Sequence, residues 1–196
     1  MEHDVRRETV LEAAATLFAQ YGFRRTSLSE IAEAAGISRP TLYHLFDNKE
    51  VLFRQLANQR QNQAIEQAMA ELADTAPLAE RITRAILAYE RIYYEPVADS
   101  PHGAEFMDLN QGAAMDDMIA GRNRLIGQLA GSLDVALVRG EIAFAAPHGG
   151  SRDFVELLIL SINGMKKASG SISEFRQKIR DTCAIFMASL TPRTAS

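Results

Sequence analysis

Apolar residues recur along this chain every three to four positions and almost nowhere in strict alternation, so the pattern predicts helices from end to end. The first spans about Asp4 to Gln20, with Leu11, Ala14, Ala15 and Phe18 on its core face. The second follows Ser27: Leu28, Ile31, Ala32 and Ala35 share a face, and Ser27 with Glu30 three residues later completes a capping box. Gly36 breaks that helix, because glycine tolerates the positive φ such a turn commonly needs. Ser38 caps a third helix, where Pro40 is tolerated because N–H groups of the first turn have no intrahelical partner. Leu42, Leu45 and Phe46 face inward there, leaving Arg39, Pro40, Thr41, Tyr43 and His44 outside. A short helix with that outer side is what a DNA recognition helix needs.

The remaining chain continues the pattern. A fourth helix starts near Asn48, and its middle, Asn58 to Gln63, is polar all round, which suits a helix bridging two domains. The next begins near Pro77, carries Ile82, Ile86, Leu87 and Tyr89, and ends before Pro96. PVADSPHG reads as a loop, followed by a short helix over Ala104 to Leu109. A long helix from about Ala113 to Arg139 lines up Leu125, Ile126, Leu129, Leu133 and Leu137, with Gly140 as its stop. GEIAFAAPHGGS is a further loop, and no convincing strand appears anywhere. From Arg152, Phe154, Leu157, Leu158, Ser161, Ile162 and Met165 repeat at helical spacing, while Val155, Ile159 and Leu160 fill other faces. From Ser173, Phe175, Ile179, Cys183, Phe186, Met187 and Leu190 form another stripe. Such a pair is either an ordinary core hairpin or half of a four-helix interface between two chains.

The run IAEAAGISRPTLYHLFDNKEVLF, with VLEAAATLFAQYGFRRTSL before it, resembles the N-terminal domain of the tetracycline-repressor (TetR) family. The matching elements are Tyr21-Gly22-Phe23, Thr26, Ile31-Ala32, Ala35-Gly36-Ile37-Ser38, Thr41-Leu42-Tyr43, Phe46 and Lys49-Glu50. They extend over residues 6 to 54, and nothing specific matches beyond Arg54. The resemblance implies an all-α fold: a helix-turn-helix DNA-binding domain over 1–50, with the fourth helix as the link, and a ligand-binding and dimerisation bundle over 51–196. It implies DNA contacts by Arg25, Thr26, Ser38, Arg39, Pro40, Thr41, Tyr43, His44 and Lys49, with Tyr43 and Lys49 on phosphates. Arg39 has two readings, a bidentate pair with guanine or a phosphate contact, and the sequence does not choose. The resemblance also turns the last two helices toward a two-fold dimer through Phe154, Leu157, Leu158, Ser161, Ile162, Met165, Phe175, Ile179, Cys183 and Phe186, the symmetry a palindromic operator requires.

Charge complicates this picture. The formal net charge is −4, and residues 1–50 hold six cations against eight anions, whereas a nucleic-acid binder is expected to be basic. Placement therefore matters more than total. Arg24, Arg25, Arg39 and Lys49 occupy positions that line the DNA side in the family, which implies a positive strip on an acidic body. Few phosphate contacts imply a shallow salt dependence, about −0.9 in log–log slope per phosphate neutralised.

Composition adds bounds. Hydrophobic residues make up 47% of the 196, enough for a core, and no run of about 18 apolar residues suggests a membrane span. MEHDVRRETV lacks the apolar stretch of a signal peptide, and the single cysteine, Cys183, fits a reducing cytoplasm, so a cytoplasmic protein without a membrane partner is expected. His3, His44, His102 and His148 show no metal-ligand spacing, no P-loop or G-x-S-x-G occurs, and neither catalysis nor a cofactor is expected. The acidic residues Glu105, Asp108, Asp116 and Asp117 read as a solvated helix end. Tyr89, Tyr93, His102, Phe106, Met107, Met118 and Arg122 lie where the family forms its effector pocket, and aromatics with methionines suit a mostly apolar small molecule.

The reading is a homodimeric, ligand-responsive regulator, a repressor released from an operator on double-stranded DNA when an unidentified small molecule splays its reading heads by moving the fourth helix. Two other classes stay open: a DNA-binding protein without inducer, serving chromosome organisation, and a helical small-molecule-binding protein or enzyme that retains the N-terminal pattern.

Overall fold

A computed structural model describes residues 2–103, 105, 106, 114–144 and 149–191, with side chains described for 5–103, 105, 106, 114–144 and 149–190. It is all-α apart from one two-residue ladder. The helices are α1 (Glu2–Tyr21), α2 (Leu28–Ala34), α3 (Arg39–Leu45), α4 (Lys49–Leu72), α5 (Leu78–Tyr93), α6 (Glu95–Ala98), α7 (Met115–Val138), α8 (Ser151–Met165) and α9 (Ile172–Ala188). The strands β1 (Ala143–Phe144) and β2 (Leu190–Thr191) pair antiparallel. No helix among the described residues is long and apolar enough to cross a membrane.

Contacts divide the chain into two compact units, Met1–Asn62 with Tyr93–Ile119, and Gln63–Ile92 with Ala120–Ser196. In the first, α1 buries Leu11, Ala14 and Phe18 of the predicted stripe together with Val10, while Ala15 is half-buried. These side chains meet Ile31 and Ala32 of α2, Leu42 and Leu45 of α3, and Leu52, Phe53 and Leu56 of α4 in one core. Aromatic rings knit it: Phe18 to Phe23 at 5.3 Å between centroids, Phe23 edge-on to Phe53 at 5.5 Å, and Phe106 stacked on Phe53 at 6.2 Å. Gln61, in the polar middle of α4, is 1% exposed, and its amide donates to the Met118 carbonyl at 3.1 Å, so burying it leaves that donor satisfied.

The second unit is built on Leu72, Ile82, Ile86, Leu125, Leu129, Leu133, Leu158, Ile162, Phe175 and Ile179, all buried. Lys166 meets Glu90 at 2.9 Å with side chains 12% and 5% exposed, so two buried charges neutralise each other.

Two expectations change, and a third is described only in part. PVADSPHG is not wholly loop, because α6 begins at Glu95 with Pro96 in its first turn, where a missing N–H costs nothing. GEIAFAAPHGGS holds β1, whose pairing of Ala143 with Thr191 and Phe144 with Leu190 joins segments far apart in sequence. Of the short helix over Ala104 to Leu109, residues 105 and 106 are helical and the rest lies outside the described residues.

The assigned dimer stripe is corrected more substantially. Phe154, Leu158, Ile162, Phe175, Ile179 and Cys183 are buried within the single chain, where α8 packs on α9 and Phe154 meets Phe186 edge-on at 5.5 Å. Ser161, Met165 and Phe186 are half-buried, and only Leu157 of the ten is strongly exposed. Most of the stripe is therefore hairpin core. The apolar surface left over consists of Leu157, Leu160 and Ile185, exposed by 57%, 49% and 71%.

Candidate nucleic-acid interface

The helix-turn-helix forms as its sequence dictates. Ser27 is the N-cap of α2: its hydroxyl accepts from the Glu30 N–H at 3.2 Å, while the Glu30 carboxylate accepts from the Ser27 N–H at 2.7 Å. These bonds with Ser27 hold the Glu30 carboxyl below its ordinary value, the backbone bond contributing most. Gly36 takes φ 66° in the turn, a conformation costly for other residues. Ser38 caps α3, accepting from the Thr41 N–H at 3.2 Å and sharing a hydroxyl–hydroxyl bond with Thr41 at 2.8 Å.

Leu42 and Leu45 anchor α3 beneath, so Arg39, Pro40, Tyr43 and His44 stand exposed on its outer side and Thr41 is half-buried. Tyr43 is 54% exposed, a large ring held out in solvent on a helix whose other bulky apolar residues are buried. Arg24 and Arg25 are exposed just before α2. The Arg24 guanidinium is 84% exposed and approaches Glu105 at 3.7 Å. Other basic residues nearby are committed elsewhere. Arg7 donates to the Gln55 side chain at 2.8 and 2.5 Å and lies 4.8 Å from the Phe46 ring centroid.

Two assignments need correction. Thr26 is 2% exposed, and its hydroxyl donates to the Gly22 carbonyl at 2.7 Å, so the side chain closes the end of α1 and does not reach a surface. Lys49 is half-buried, and its ammonium donates to the carbonyls of Phe23 at 2.7 Å and Thr26 at 2.8 Å, with Arg24 at 3.5 Å, over the Phe23 ring at 4.4 Å. An ammonium has three protons, and three carbonyls take them. Lys49 locks the turn between α1 and α2 rather than offering free donors to phosphate.

A clasp on that turn was not foreseen. The Glu105 carboxylate accepts from the N–H of Phe23 at 3.1 Å and of Arg24 at 2.7 Å. The His102 ring lies 3.3 Å from the Gln20 carbonyl, and Ser100 donates to the Ala19 carbonyl at 3.4 Å. Gly22 sits at φ 85° beneath them, and a Cβ there would lie 2.7 Å from Glu105 Oε2 and 3.0 Å from His102 Nδ1. Asp117 pairs with Arg54 at 3.0 Å. Glu105 and Asp117, read from sequence as a solvated end, instead bond to the turn before α2 and to Arg54 of α4. The only hint was glycine between two aromatics.

The residues assigned to an effector pocket are divided between the two units. Phe106 belongs to the helix-turn-helix core, His102 to the clasp, and Met118 offers its carbonyl to Gln61. Tyr93 is half-buried in the first unit, Tyr89 is buried and Arg122 half-buried in the second, and Met107 lies outside the described residues.

Comparison with known proteins settles the motif. Residues 10–56 match the family model of bacterial regulatory proteins, tetR family. The chain carries the N-terminal domain of the tetR family. It is 32% identical over 128 residues to the HTH-type transcriptional regulator RutR of Escherichia coli (strain K12), a match over 65% of this chain that spans only 55% of that protein's length. In fold it is similar to the TetR family transcriptional regulator PfmR of Thermus thermophilus, with 21% identity, TM-score 0.61, and 91% and 97% of the two chains covered. It is also similar to a transcriptional regulator of Cytophaga hutchinsonii, with 16% identity, TM-score 0.78, and coverage of 93% and 97%. At these identities the neighbours establish the tetR-like arrangement of helices and nothing finer.

Proposed function

We propose that this tetR-family chain is a transcriptional regulator that binds double-stranded DNA as a homodimer and responds to a small molecule. The observation that carries the reading is α3: capped by Ser38 and anchored by buried Leu42 and Leu45, it turns Arg39, Pro40, Tyr43 and His44 to solvent. A seven-residue helix gains little stability alone, so it persists because the core holds its inner side, which leaves the outer side for recognition. Arg39 and Tyr43 read or position the duplex, Ser38, Pro40, Thr41 and His44 flank them, and Arg25 supplies phosphate contact. Lys49 and Thr26 act indirectly by shaping the turn that presents α2 and α3.

The dimer forms through the exposed apolar side of the α8–α9 hairpin, where Leu157, Leu160 and Ile185 lie, and the stripe beneath them supports it. Response to an effector runs through the Glu105–His102–Ser100 clasp. A molecule binding better to a state in which residues 95–106 are displaced loosens the turn around Gly22, and the reading heads lose their spacing. Carrying the balance from 99:1 to 1:99 takes about 5.5 kcal/mol of differential affinity. Relatives named as transcriptional regulators favour this role over an enzymatic one.

Arg39→Ala with Tyr43→Ala tests the assignment, because both side chains are exposed and the helix core is untouched. The double variant is expected to lose DNA retention at least about thirtyfold, from two contacts worth roughly 1–3 kcal/mol each, with its unfolding midpoint nearly unchanged. Undiminished binding by the double variant removes α3 as the reading element.

A further inference from the structure

The second unit holds an open cleft of ≈ 260 Å³ lined by four arginines, and it plays no part in the reading above. Arg84 and Arg91 lie seven residues apart on α5, and Arg176 and Arg180 lie four apart on α9, so each pair shares one helical side and the two rows border the same space. Glu71 is the one acidic lining residue among the described residues, and Leu87 and Ala88 supply apolar surface. Glu71 is already engaged: Arg84 Nε meets it at 3.1 Å, while the same guanidinium pairs with Asp74 and reaches Glu80 at 3.4 Å. Arg84 is thereby fixed and neutralised. Arg91 and Arg180 are exposed and enter no ion pair or side-chain hydrogen bond among the described residues.

We propose that this cleft is a binding site for a small molecule bearing two or more oxyanions, phosphoryl or carboxyl, gripped by Arg91 and Arg180 with Arg176 beside them. Guanidinium groups match such oxyanions with paired N–H donors, and charge-assisted bonds of this kind are the strong ones. In a chain of net charge −4, Arg91 and Arg180 border one cleft with no carboxylate drawn to either among the described residues. Like charges so placed repel, and a bound polyanion relieves that repulsion. The size restricts the ligand, since the cleft is below the ~300–1,000 Å³ usual for drug-sized molecules. A compact diphosphate or tricarboxylate fits, with Leu87 and Ala88 against its carbon skeleton or bridging atom.

The test uses the full chain without DNA. Calorimetric titrations with pyrophosphate and with citrate distinguish phosphoryl from carboxyl recognition, and sodium chloride at matched ionic strength controls for screening. One anion is expected to bind saturably at one site per chain and to raise the unfolding midpoint. Arg91→Ala with Arg180→Ala is expected to weaken that binding at least about tenfold, whereas Arg60→Ala with Arg152→Ala, exposed arginines elsewhere, leaves it intact. Should the alanine pair fail to fold, Arg91→Gln with Arg180→Gln keeps the side-chain bulk and gives the same readout. Absence of saturable binding by either anion, equal binding by the Arg91 and Arg180 variants, or an equal effect from chloride overturns the proposal.

Discussion

Single residues of the helix-turn-helix divide between those displayed to solvent and those that hold the motif in shape, and exposure separates the two. Arg39 and Tyr43 are displayed, whereas Thr26 and Lys49, which sequence spacing groups with them, spend their polar atoms on the carbonyls of the preceding turn. Glu30 belongs to the holding class, and its titration gives a prediction. Its folded value is lowered by the bonds with Ser27, so the capping box contributes fully above the unfolded value of 4.5 and is lost as the pH falls through the lowered folded value. Following the Glu30 side-chain carboxyl carbon by NMR from acid to neutral pH is expected to place its midpoint below that of the Ser27→Ala variant. Coincident midpoints contradict the share of the Ser27 hydroxyl, the one bond to the Glu30 carboxylate that the alanine removes. Cys183 lies at the other extreme: burial pushes its thiol up to about 11, which makes it an inert packing group at neutral pH.

At the scale of elements, the proposed dimer rests on the open side of the α8–α9 hairpin. Leu157→Glu with Ile185→Glu places charge on its open side without touching its core. Sedimentation equilibrium is expected to show single subunits for this variant with little change in unfolding midpoint, while Phe154→Ala destabilises the fold itself, by about 3–5 kcal/mol for a buried ring. A charged variant that stays dimeric moves the interface elsewhere. This element also shows how far sequence carries. Periodicity located both helices, but a stripe of Phe154, Leu158, Ile162, Phe175 and Ile179 looks the same whether it faces a neighbouring helix or another chain. Only the packing shows that Leu157 and Ile185 are the residues left over. The helix-turn-helix was legible almost in full because its determinants are local: caps one turn from their donors, a glycine at its turn, a three-to-four residue repeat. The clasp was illegible because Glu105 meets Phe23 from 82 positions away. Phe106 was not assigned to this core for the same reason, since a short helix carries no signal of which core its aromatic joins.

Across the whole molecule, the DNA reading proposed for this acidic chain would rely on where its exposed cations stand. Arg24, Arg25 and Arg39 are exposed beside or on the helix-turn-helix, while Arg7, Lys49 and Arg54 are tied into it. A single copy presents one short α3, seven residues long, too small to discriminate a site unaided, which is why the proposed function needs two copies in register. The most direct measurement is a hydroxyl-radical footprint on a genomic fragment selected by the full-length protein, combined with the subunit count of the bound species. The account predicts two subunits protecting two half-sites on one side of the duplex, their centres about one helical turn, ~34–36 Å, or a multiple of it apart. A lone subunit on a single protected patch, or no protected fragment at low salt, contradicts it.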